Sequence, residues 1–176
     1  MVYIDFDGVI LDTEELLFEE WRKKSNHKLL SEEVKIEYIK RCNWEHILYN
    51  SSIINDSVYY LKQMDPNTSF ILTKVHSLEN EASSKIKWIR EQGIKQGIFV
   101  VPYPQKKTDI VDAYGNILVD DCLTNLDDWI NNGGYPILFD INDDGFDSWD
   151  KPNIKGYQKV LTLKDIDRSK NGNNRI

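Results

Sequence analysis

The stretch that decides the fold is Val2-Tyr3-Ile4-Asp5-Phe6-Asp7-Gly8, close to the start of a 176-residue chain. Its first three residues are apolar and β-prone, which predicts a short buried strand. Residues two apart on an extended chain point to the same side, so Asp5 and Asp7 are expected to converge where this strand ends. Gly8 then permits a sharp turn and a close approach of the backbone to a ligand.

Two converging carboxylates repel each other unless a cation lies between them, and ligands made only of oxygen favour Mg²⁺. In open α/β sheets, ligands bind at the carboxyl ends of the strands, which is where this pair is expected. A simpler interpretation stays open on this stretch alone, because Asp-Gly pairs are also common in turns. The rest of the chain has to decide between a metal site and a polar turn.

Composition indicates one globular domain, or one domain that carries a modest insertion. Of the residues, 40% are hydrophobic and 29% are charged, and no window approaches the roughly 18 apolar residues that a membrane span needs. The net charge of −7 argues against tight, non-specific binding to nucleic acid. We therefore expect neither a nucleic-acid nor a membrane partner, and the oligomeric state stays open.

Cys42 and Cys122 are too few for a disulfide framework or a zinc site made of thiolates. The first residues lead directly into a strand and lack the basic and apolar regions of a signal peptide. Both features favour a cytoplasmic protein.

Helical patterns fill the chain between Glu14 and Met64, where no strand is predicted. Thr13 is the candidate N-cap of the first helix, which is expected to run to about residue 25. Residues 26–30 are interpreted as a connection. A second helix is predicted to begin at residue 31, and two further helices are predicted at residues 44–49 and 56–64.

From residue 65 the chain alternates between strands and helices, which indicates a parallel sheet with right-handed crossovers. The predicted strands after the first are 69–73, 97–101, 116–119, 135–139 and 159–161. The predicted helices between and after them are 77–92, 108–113, 124–132 and 164–166.

Polar residues occur at or beyond the ends of four predicted strands, and all these ends lie at one edge of a parallel sheet. Together they offer what phosphoryl transfer needs: a carboxylate to attack, a second to move a proton, a hydroxyl and an ammonium for the phosphoryl oxygens, and carboxylates for Mg²⁺. The residues are Asp5, Asp7, Thr73, Lys106 or Lys107, Asp120 and Asp121.

This order of motifs resembles the haloacid dehalogenase-like (HAD) phosphohydrolase superfamily over residues 2 to about 140. The motifs are Asp5-Phe6-Asp7-Gly8-Val9, Ile71-Leu72-Thr73, a lysine upstream of the fourth strand, and Ile117-Leu118-Val119-Asp120-Asp121. The resemblance implies an α/β fold with a Rossmann-like open parallel sheet, built from residues 1–13 and 65–176. A small helical cap, residues 14–64, would be inserted after the first strand.

The resemblance also implies a Mg²⁺-dependent phosphomonoesterase. Asp5 would be the nucleophile that forms an aspartyl-phosphate and would also ligate Mg²⁺. Asp7 would protonate the leaving group and activate water, while its backbone carbonyl ligates the metal. Thr73 would donate a hydrogen bond to the transferring phosphoryl group.

The remaining site residues follow from the same resemblance. Asp121 would ligate Mg²⁺ through its side chain, and Asp120 would either ligate the metal or orient the lysine. Lys107 is chosen over Lys106 because it leads directly into the helix predicted before the fourth strand.

The substrate is expected to be a small phosphorylated metabolite selected by the cap. The stretch from Tyr114 to Phe139 is most similar to the deoxyribonucleotidase-like branch, which makes a (deoxy)nucleoside monophosphate the best guess. Lys74-Val75-His76 departs from that branch, and a phosphosugar is the alternative. His76 could contact the substrate phosphate or lie in solvent.

Three further points stay open. Aromatic residues of the helical segment could stack on a nucleobase, but helical spacing favours the core: Trp21, Tyr38, Trp44 and Tyr49. Asp143 to Asp147 is interpreted as an acidic turn, since it lacks the distal Glu of a calcium loop. Two functions of another class remain: a phospho-accepting receiver, which the long helical insertion argues against, and a catalytically idle HAD-like binding protein.

Overall fold

The computed structural model describes residues 1–25, 31–140 and 157–166. A six-stranded sheet, parallel at every pairing, crosses the molecule. Its strands are β1 (Val2–Ile4), β4 (Ser69–Val75), β5 (Gly97–Pro102), β6 (Ile117–Asp120), β7 (Tyr135–Phe139) and β8 (Gln158–Val160). They lie in the order β5-β4-β1-β6-β7-β8. A separate antiparallel pair joins β2 (Leu11–Asp12) to β3 (Ser52–Ile53).

Helices lie on both faces of the sheet and in a segment that follows β1 and β2. They are α1 (Thr13–Ser25), α2 (Glu32–Arg41), α3 (Trp44–Asn50), α4 (Ser57–Gln63), α5 (Ser83–Glu91) and α6 (Leu123–Asn131). A π-helical turn, Leu78–Ala82, leads into α5, and 3₁₀ turns cover Lys107–Asp109 and Leu163–Asp165. The predicted α/β fold with an open parallel sheet and helices inserted after the first strand is confirmed.

The central strand β1 is buried on both faces, as expected for the middle of a parallel sheet. Its three residues are at most 5% exposed. Val2 and Ile4 face one apolar cluster, which includes Ile71, Val119 and the buried residues of α3. Tyr3 faces the other cluster, where its ring contacts Trp129 of α6 at 5.5 Å between centroids.

The β2–β3 pair was not predicted, because two residues per strand are too few to produce an alternating pattern. It joins Leu11 to Ile53, and so brings together the two ends of the segment that contains α1, α2 and α3. Beside this pair, the backbone N–H of Ile54 donates to the carbonyl of Ile10 at 3.1 Å.

Helix α4 packs against elements of the parallel sheet. Val58 and Leu61 are buried in the same cluster as β1. The buried side chain of Gln96, just before β5, donates to the carbonyls of Leu61 at 2.6 Å and Met64 at 3.2 Å. The hydroxyl of Ser57 donates to the carbonyl of Ile10 at 2.8 Å. These bonds fix one end of α4 to the residue before β5 and the other end to Ile10, in the connection between β1 and β2.

Two predicted helices differ from the structure in form. The helix expected at 108–113 is a single 3₁₀ turn, Lys107–Asp109. The helix expected at 77–92 begins with a π turn, and its Ile86 is 39% exposed. The buried positions of α5 are Lys85, Trp88 and Ile89.

Two sequence interpretations lie outside the described residues: the connection at 26–30 and the acidic turn from Asp143 to Asp147. Among the residues that are described, no helix has the length and apolar character needed to cross a membrane.

Gly134 tests the packing of the α6 face. A Cβ on this residue would lie 2.2 Å from Nε1 of the fully buried Trp129 and 2.8 Å from the carbonyl of Ala113. We expect Gly134→Ala to lower the free energy of unfolding by about 1–3 kcal/mol, as for other overpacked cores. Urea denaturation measures the change. The exposed Asn131→Ala is the control and should change stability by less than about 0.5 kcal/mol; equal effects of the two substitutions would contradict this packing.

Candidate active site

The candidate site lies at the carboxyl ends of β4, β1 and β6, which are neighbours in the sheet. A cavity of about 350 Å³ opens there, between the sheet edge and the helical segment. Asp5, Asp7 and Asp121 line it. Thr73, Lys107 and Asp120 are almost fully buried behind these three residues. The helical side of the cavity includes Thr13, Glu14, Leu17, Glu32, Lys35, Ile39 and Trp44.

Asp5 follows β1 directly and is 7% exposed. Its Oδ1 accepts a hydrogen bond from the backbone N–H of Phe6 at 2.8 Å, and lies 2.8 Å from Nζ of Lys107. Burial raises the pKa of Asp5 to about 7, and the negative charges of Asp120 and Asp7 add to this rise while Lys107 opposes it. A cation close to Asp5 would favour its charged form in the same way as Lys107.

Lys107 bridges two carboxylates, since its Nζ also donates to Oδ2 of Asp120 at 2.6 Å. Burial lowers the pKa of Lys107, but the charges of Asp120 and Asp5 outweigh burial and hold the pKa above its usual value. Lys106, the other candidate, points elsewhere: it is exposed and pairs with Asp128 at 2.6 Å. Lys107 is therefore the lysine that lies beside Asp5.

Asp120 is fully buried, and both of its carboxylate oxygens are engaged by neighbours. In addition to Lys107, it accepts hydrogen bonds from the backbone N–H of Cys122 at 2.9 Å and from Nδ2 of Asn125 at 3.0 Å. Asn125 was not anticipated from the sequence. Its Oδ1 accepts from Nζ of Lys74 at 3.2 Å, so it links the end of β6 to the end of β4.

The donor set fits a hard divalent cation. One carboxylate oxygen from each of Asp5, Asp120 and Asp121 lies within 4.8 Å of the other two. Gly8 makes room for this arrangement, because a Cβ there would lie 1.9 Å from Oδ2 of Asp121. Its φ of +70° is also one that side-chain-bearing residues rarely adopt. Oxygen donors of this kind suit Mg²⁺.

Asp7 is held from two directions. The hydroxyl of Thr13 donates to its Oδ1 at 2.7 Å, and Nζ of Lys85 donates to its Oδ2 at 2.6 Å. Thr13 was predicted as the N-cap of α1, but it is the first residue of that helix, and its hydroxyl is used by Asp7. Asp12 lies at the cap position, where its carboxylate accepts from the N–H of Glu15 at 3.5 Å.

Lys85 and Glu81 were missed by the sequence analysis. Glu81 lies in the π turn that leads into α5 and Lys85 lies one turn further along, within α5; Nζ of Lys85 donates to Oε1 of Glu81 at 2.8 Å. A signal was present, because residues 81, 85, 88 and 89 have the spacing of a single helical stripe. Reading Trp88 and Ile89 as the core face places Glu81 and Lys85 on that face as well.

Thr73 lies in β4 with its hydroxyl donating to the carbonyl of Lys74 at 3.3 Å. It also accepts from Nζ of Lys85 at 3.4 Å. His76 is the residue directly after β4. Its ring stacks on that of Tyr103, and its backbone N–H donates to Glu81. His76 also lines the cavity, so it is not an isolated surface residue.

The four aromatic residues considered for base stacking mostly contact other protein groups. Trp21 packs on Tyr38 with ring centroids 4.8 Å apart, and the hydroxyl of the exposed Tyr49 donates to Glu91. Trp44 is 2% exposed, and its indole N–H donates to the carbonyl of Ile39. Of the four, Trp44 lines the cavity.

No protein-family model matches the sequence, and a search of curated proteins finds no match. Solved structures do match. A HAD hydrolase of family IA from Entamoeba histolytica aligns with a TM-score of 0.58 and 15% identity, over 96% of this chain and 95% of that one. A β-phosphoglucomutase from Clostridium difficile aligns with a TM-score of 0.57 and 12% identity, over 97% and 94%.

A third match is the D,D-heptose 1,7-bisphosphate phosphatase from B. bronchiseptica, which was crystallised with magnesium and phosphate. It aligns with a TM-score of 0.56 and 16% identity, over 92% of each chain. One of the three is named a HAD hydrolase, and the others are named a β-phosphoglucomutase and a heptose bisphosphate phosphatase. Each aligns over 92% or more of its own length, and the low identities make the likeness one of fold. The chain has the α/β fold of HAD-like hydrolases.

Proposed function

We propose that this protein is a Mg²⁺-dependent phosphomonoesterase of the HAD type, which acts through an aspartyl-phosphate on a small phosphorylated metabolite. The observation that carries the proposal is the surroundings of Asp5. A carboxylate at the end of the central strand is paired with the buried Lys107 and faces a cavity, within reach of two more carboxylates. This is the set of groups that phosphoryl transfer to a carboxylate needs.

We assign Asp5, Asp121 and the backbone carbonyl of Asp7 as the ligands of Mg²⁺. Asp120 is assigned a different role, because its two oxygens already accept bonds from Lys107, Cys122 and Asn125. It orients Lys107 and balances its charge. When bound, Mg²⁺ would neutralise the carboxylates and the phosphate and orient the phosphoryl oxygens.

In the first step, Asp5 attacks phosphorus and the bond from phosphorus to the ester oxygen breaks. Lys107 and the N–H of Phe6 both hold Oδ1, which makes Oδ2 the attacking oxygen in our assignment. Asp7, in its protonated form, donates its proton to the departing alkoxide. Lys107 and Thr73 stabilise the negative charge on the phosphoryl group.

In the second step, Asp7 is a carboxylate and takes a proton from a water molecule. The resulting hydroxide attacks phosphorus, the bond to Asp5 breaks, and inorganic phosphate leaves. One residue thus acts as acid and then as base, which returns Asp5 and Asp7 to their starting states.

We infer that the part that covers the site consists of α1, α2 and α3, bounded by β2 and β3. The predicted cap of residues 14–64 also included α4, but the hydrogen bonds from Gln96 and Ser57 favour grouping α4 with the sheet. The covering segment contributes Leu17, Ile39 and Trp44 to the cavity wall. It would exclude water and select the leaving group.

Two substrate classes fit a cavity of about 350 Å³. The likeness of the motifs to the deoxyribonucleotidase-like branch favours a (deoxy)nucleoside monophosphate. The charged groups on the wall, Glu14, Glu32 and Lys35, suit the hydroxyls of a phosphosugar. Two of the matched structures are also named for phosphosugar enzymes.

The proposal is tested with p-nitrophenyl phosphate and Mg²⁺. We expect Asp5→Asn to reduce phosphate release by about 10³-fold or more, because the amide cannot attack phosphorus. The control is Asp56→Asn, an exposed residue with φ +58°, where the same chemical change should leave the rate unaltered. Equal rates for wild type and Asp5→Asn would refute the enzyme. A phosphorylated Asp5 that persists without turnover would support the receiver alternative.

Gly8→Ala tests the assignment of Asp121 as a metal ligand. The added methyl group would displace the carboxylate of Asp121, so we expect the affinity for Mg²⁺ to fall about tenfold or more, measured by calorimetric titration. Gly115→Ala is the matched control: its φ of +69° imposes the same backbone strain, but its Cβ would meet nothing within 4 Å. Unchanged Mg²⁺ binding in Gly8→Ala, or an equal loss in both variants, contradicts the assignment.

A substrate panel separates the two classes. We expect deoxynucleoside monophosphates to show a kcat/KM at least about tenfold above that of glycerol phosphate, because a fitted leaving group contributes binding energy in the transition state. The comparison is made at one Mg²⁺ concentration, with Asp5→Asn as the blank. A larger kcat/KM for hexose or heptose phosphates would replace the nucleotide assignment with the phosphosugar one.

A further inference from the structure

Lys85 is a fully buried lysine beside the site. Its ammonium group donates to two carboxylates, Oδ2 of Asp7 at 2.6 Å and Oε1 of Glu81 at 2.8 Å. It also donates to the carbonyl of Lys74 at 3.2 Å and the hydroxyl of Thr73 at 3.4 Å. The ammonium thus contacts two of the residues that the proposed reaction uses, although it does not line the cavity itself.

The surroundings keep this lysine charged. Burial lowers the pKa of Lys85, but Asp7 and Glu81 outweigh burial and hold the pKa above its usual value. Aromatic rings complete the enclosure, with the centroids of Phe6 and Trp44 at 5.6 Å and 5.0 Å from Nζ. Glu81 is 2% exposed, and besides Lys85 it accepts the backbone N–H of His76 at 2.7 Å, so its carboxylate is held in place as the counter-charge of Lys85.

Stability alone does not explain this arrangement. Replacing a buried ion pair by apolar side chains of similar volume is often neutral or stabilising, so a folded core does not need Lys85 here. What the ammonium does is fix the carboxylate of Asp7. Lys85 holds Oδ2 while Thr13 holds Oδ1, so both ends of the carboxylate are held and its plane is set.

We propose that Lys85 is the positioning residue of the proton-transferring Asp7, and that Glu81 in turn fixes Lys85; this rests on the proposed function. Lys85 acts through Asp7 and does not itself line the cavity. A protonated carboxyl group held in the right orientation to the ester oxygen can deliver its proton as the bond to phosphorus breaks. Loss of this orientation slows the proton transfer, since a misplacement of about 1 Å can lower a rate by about 10²-fold.

The proposal predicts a dependence on the leaving group. p-Nitrophenolate is a stable anion and leaves without a proton, whereas benzyl alkoxide needs one from Asp7. Benzyl phosphate and p-nitrophenyl phosphate are similar in size, so they differ chiefly in this need. The parameter to compare is kcat/KM, because it reports the formation of the aspartyl-phosphate and not its hydrolysis.

In Lys85→Met we expect kcat/KM for benzyl phosphate to fall about 100-fold, and that for p-nitrophenyl phosphate to fall less than about fivefold. Lys85→Arg keeps the charge and should recover part of the loss. The control is Lys87→Met on the same helix, where an exposed lysine pairs with Glu45 at 2.6 Å. It should change neither substrate.

If Lys85→Met does not fold, as judged by circular dichroism, the double variant Lys85→Met/Glu81→Gln replaces it, because it leaves no unpaired charge on Glu81. Equal losses on both phosphates in a folded variant would overturn the positioning role while leaving the proposed function in place. Wild-type protein that releases phosphate from neither substrate would refute the proposed function, and this inference with it.

Discussion

The burial of several carboxylates at one edge of the sheet is the constraint on which the rest of the site depends. Two buried ammonium groups each join two of them: Lys107 bridges Asp5 and Asp120, and Lys85 bridges Asp7 and Glu81. With Asp121 and the neighbouring Lys74 counted as well, five carboxylates face three ammonium groups, which leaves an excess of negative charge. That excess is costly in a medium of low polarity, and a divalent cation is the group that would offset it.

The order of the strands brings these charges together. Because β1 lies between β4 and β6, the residues at the ends of the three strands meet at one edge, although Asp5 and Asp120 are 115 positions apart along the chain. Gly8 then turns the chain away from that edge and leaves space for Asp121. The β2–β3 pair returns the chain to the same place after the helical segment, so the segment covers the edge without entering the sheet.

Most of the candidate site could be predicted because its residues follow strands, and parallel strands end together. Asp5, Lys107 and Asp120 were found in this way, and the structure brings them into contact. Lys85 and Glu81 could not be found by that rule, since they lie within a helix, where charged residues are normally taken to face solvent. The β2–β3 pair escaped because two-residue strands leave no periodic pattern.

The two carboxylates of the first strand depend on different parts of the chain. Among the described residues, Asp5 is paired with the N–H of Phe6 and with Lys107, which Asp120 holds in turn; none of these lies in the covering segment. Asp7 is held by Thr13, the first residue of α1, and by Lys85, which Trp44 of α3 covers. The direct contacts of the proposed nucleophile thus involve no described residue of the covering segment, whereas those of the proposed proton donor do. A leaving group that fits against this segment would therefore act on the orientation of Asp7 and not on Asp5, which connects substrate selection to proton transfer.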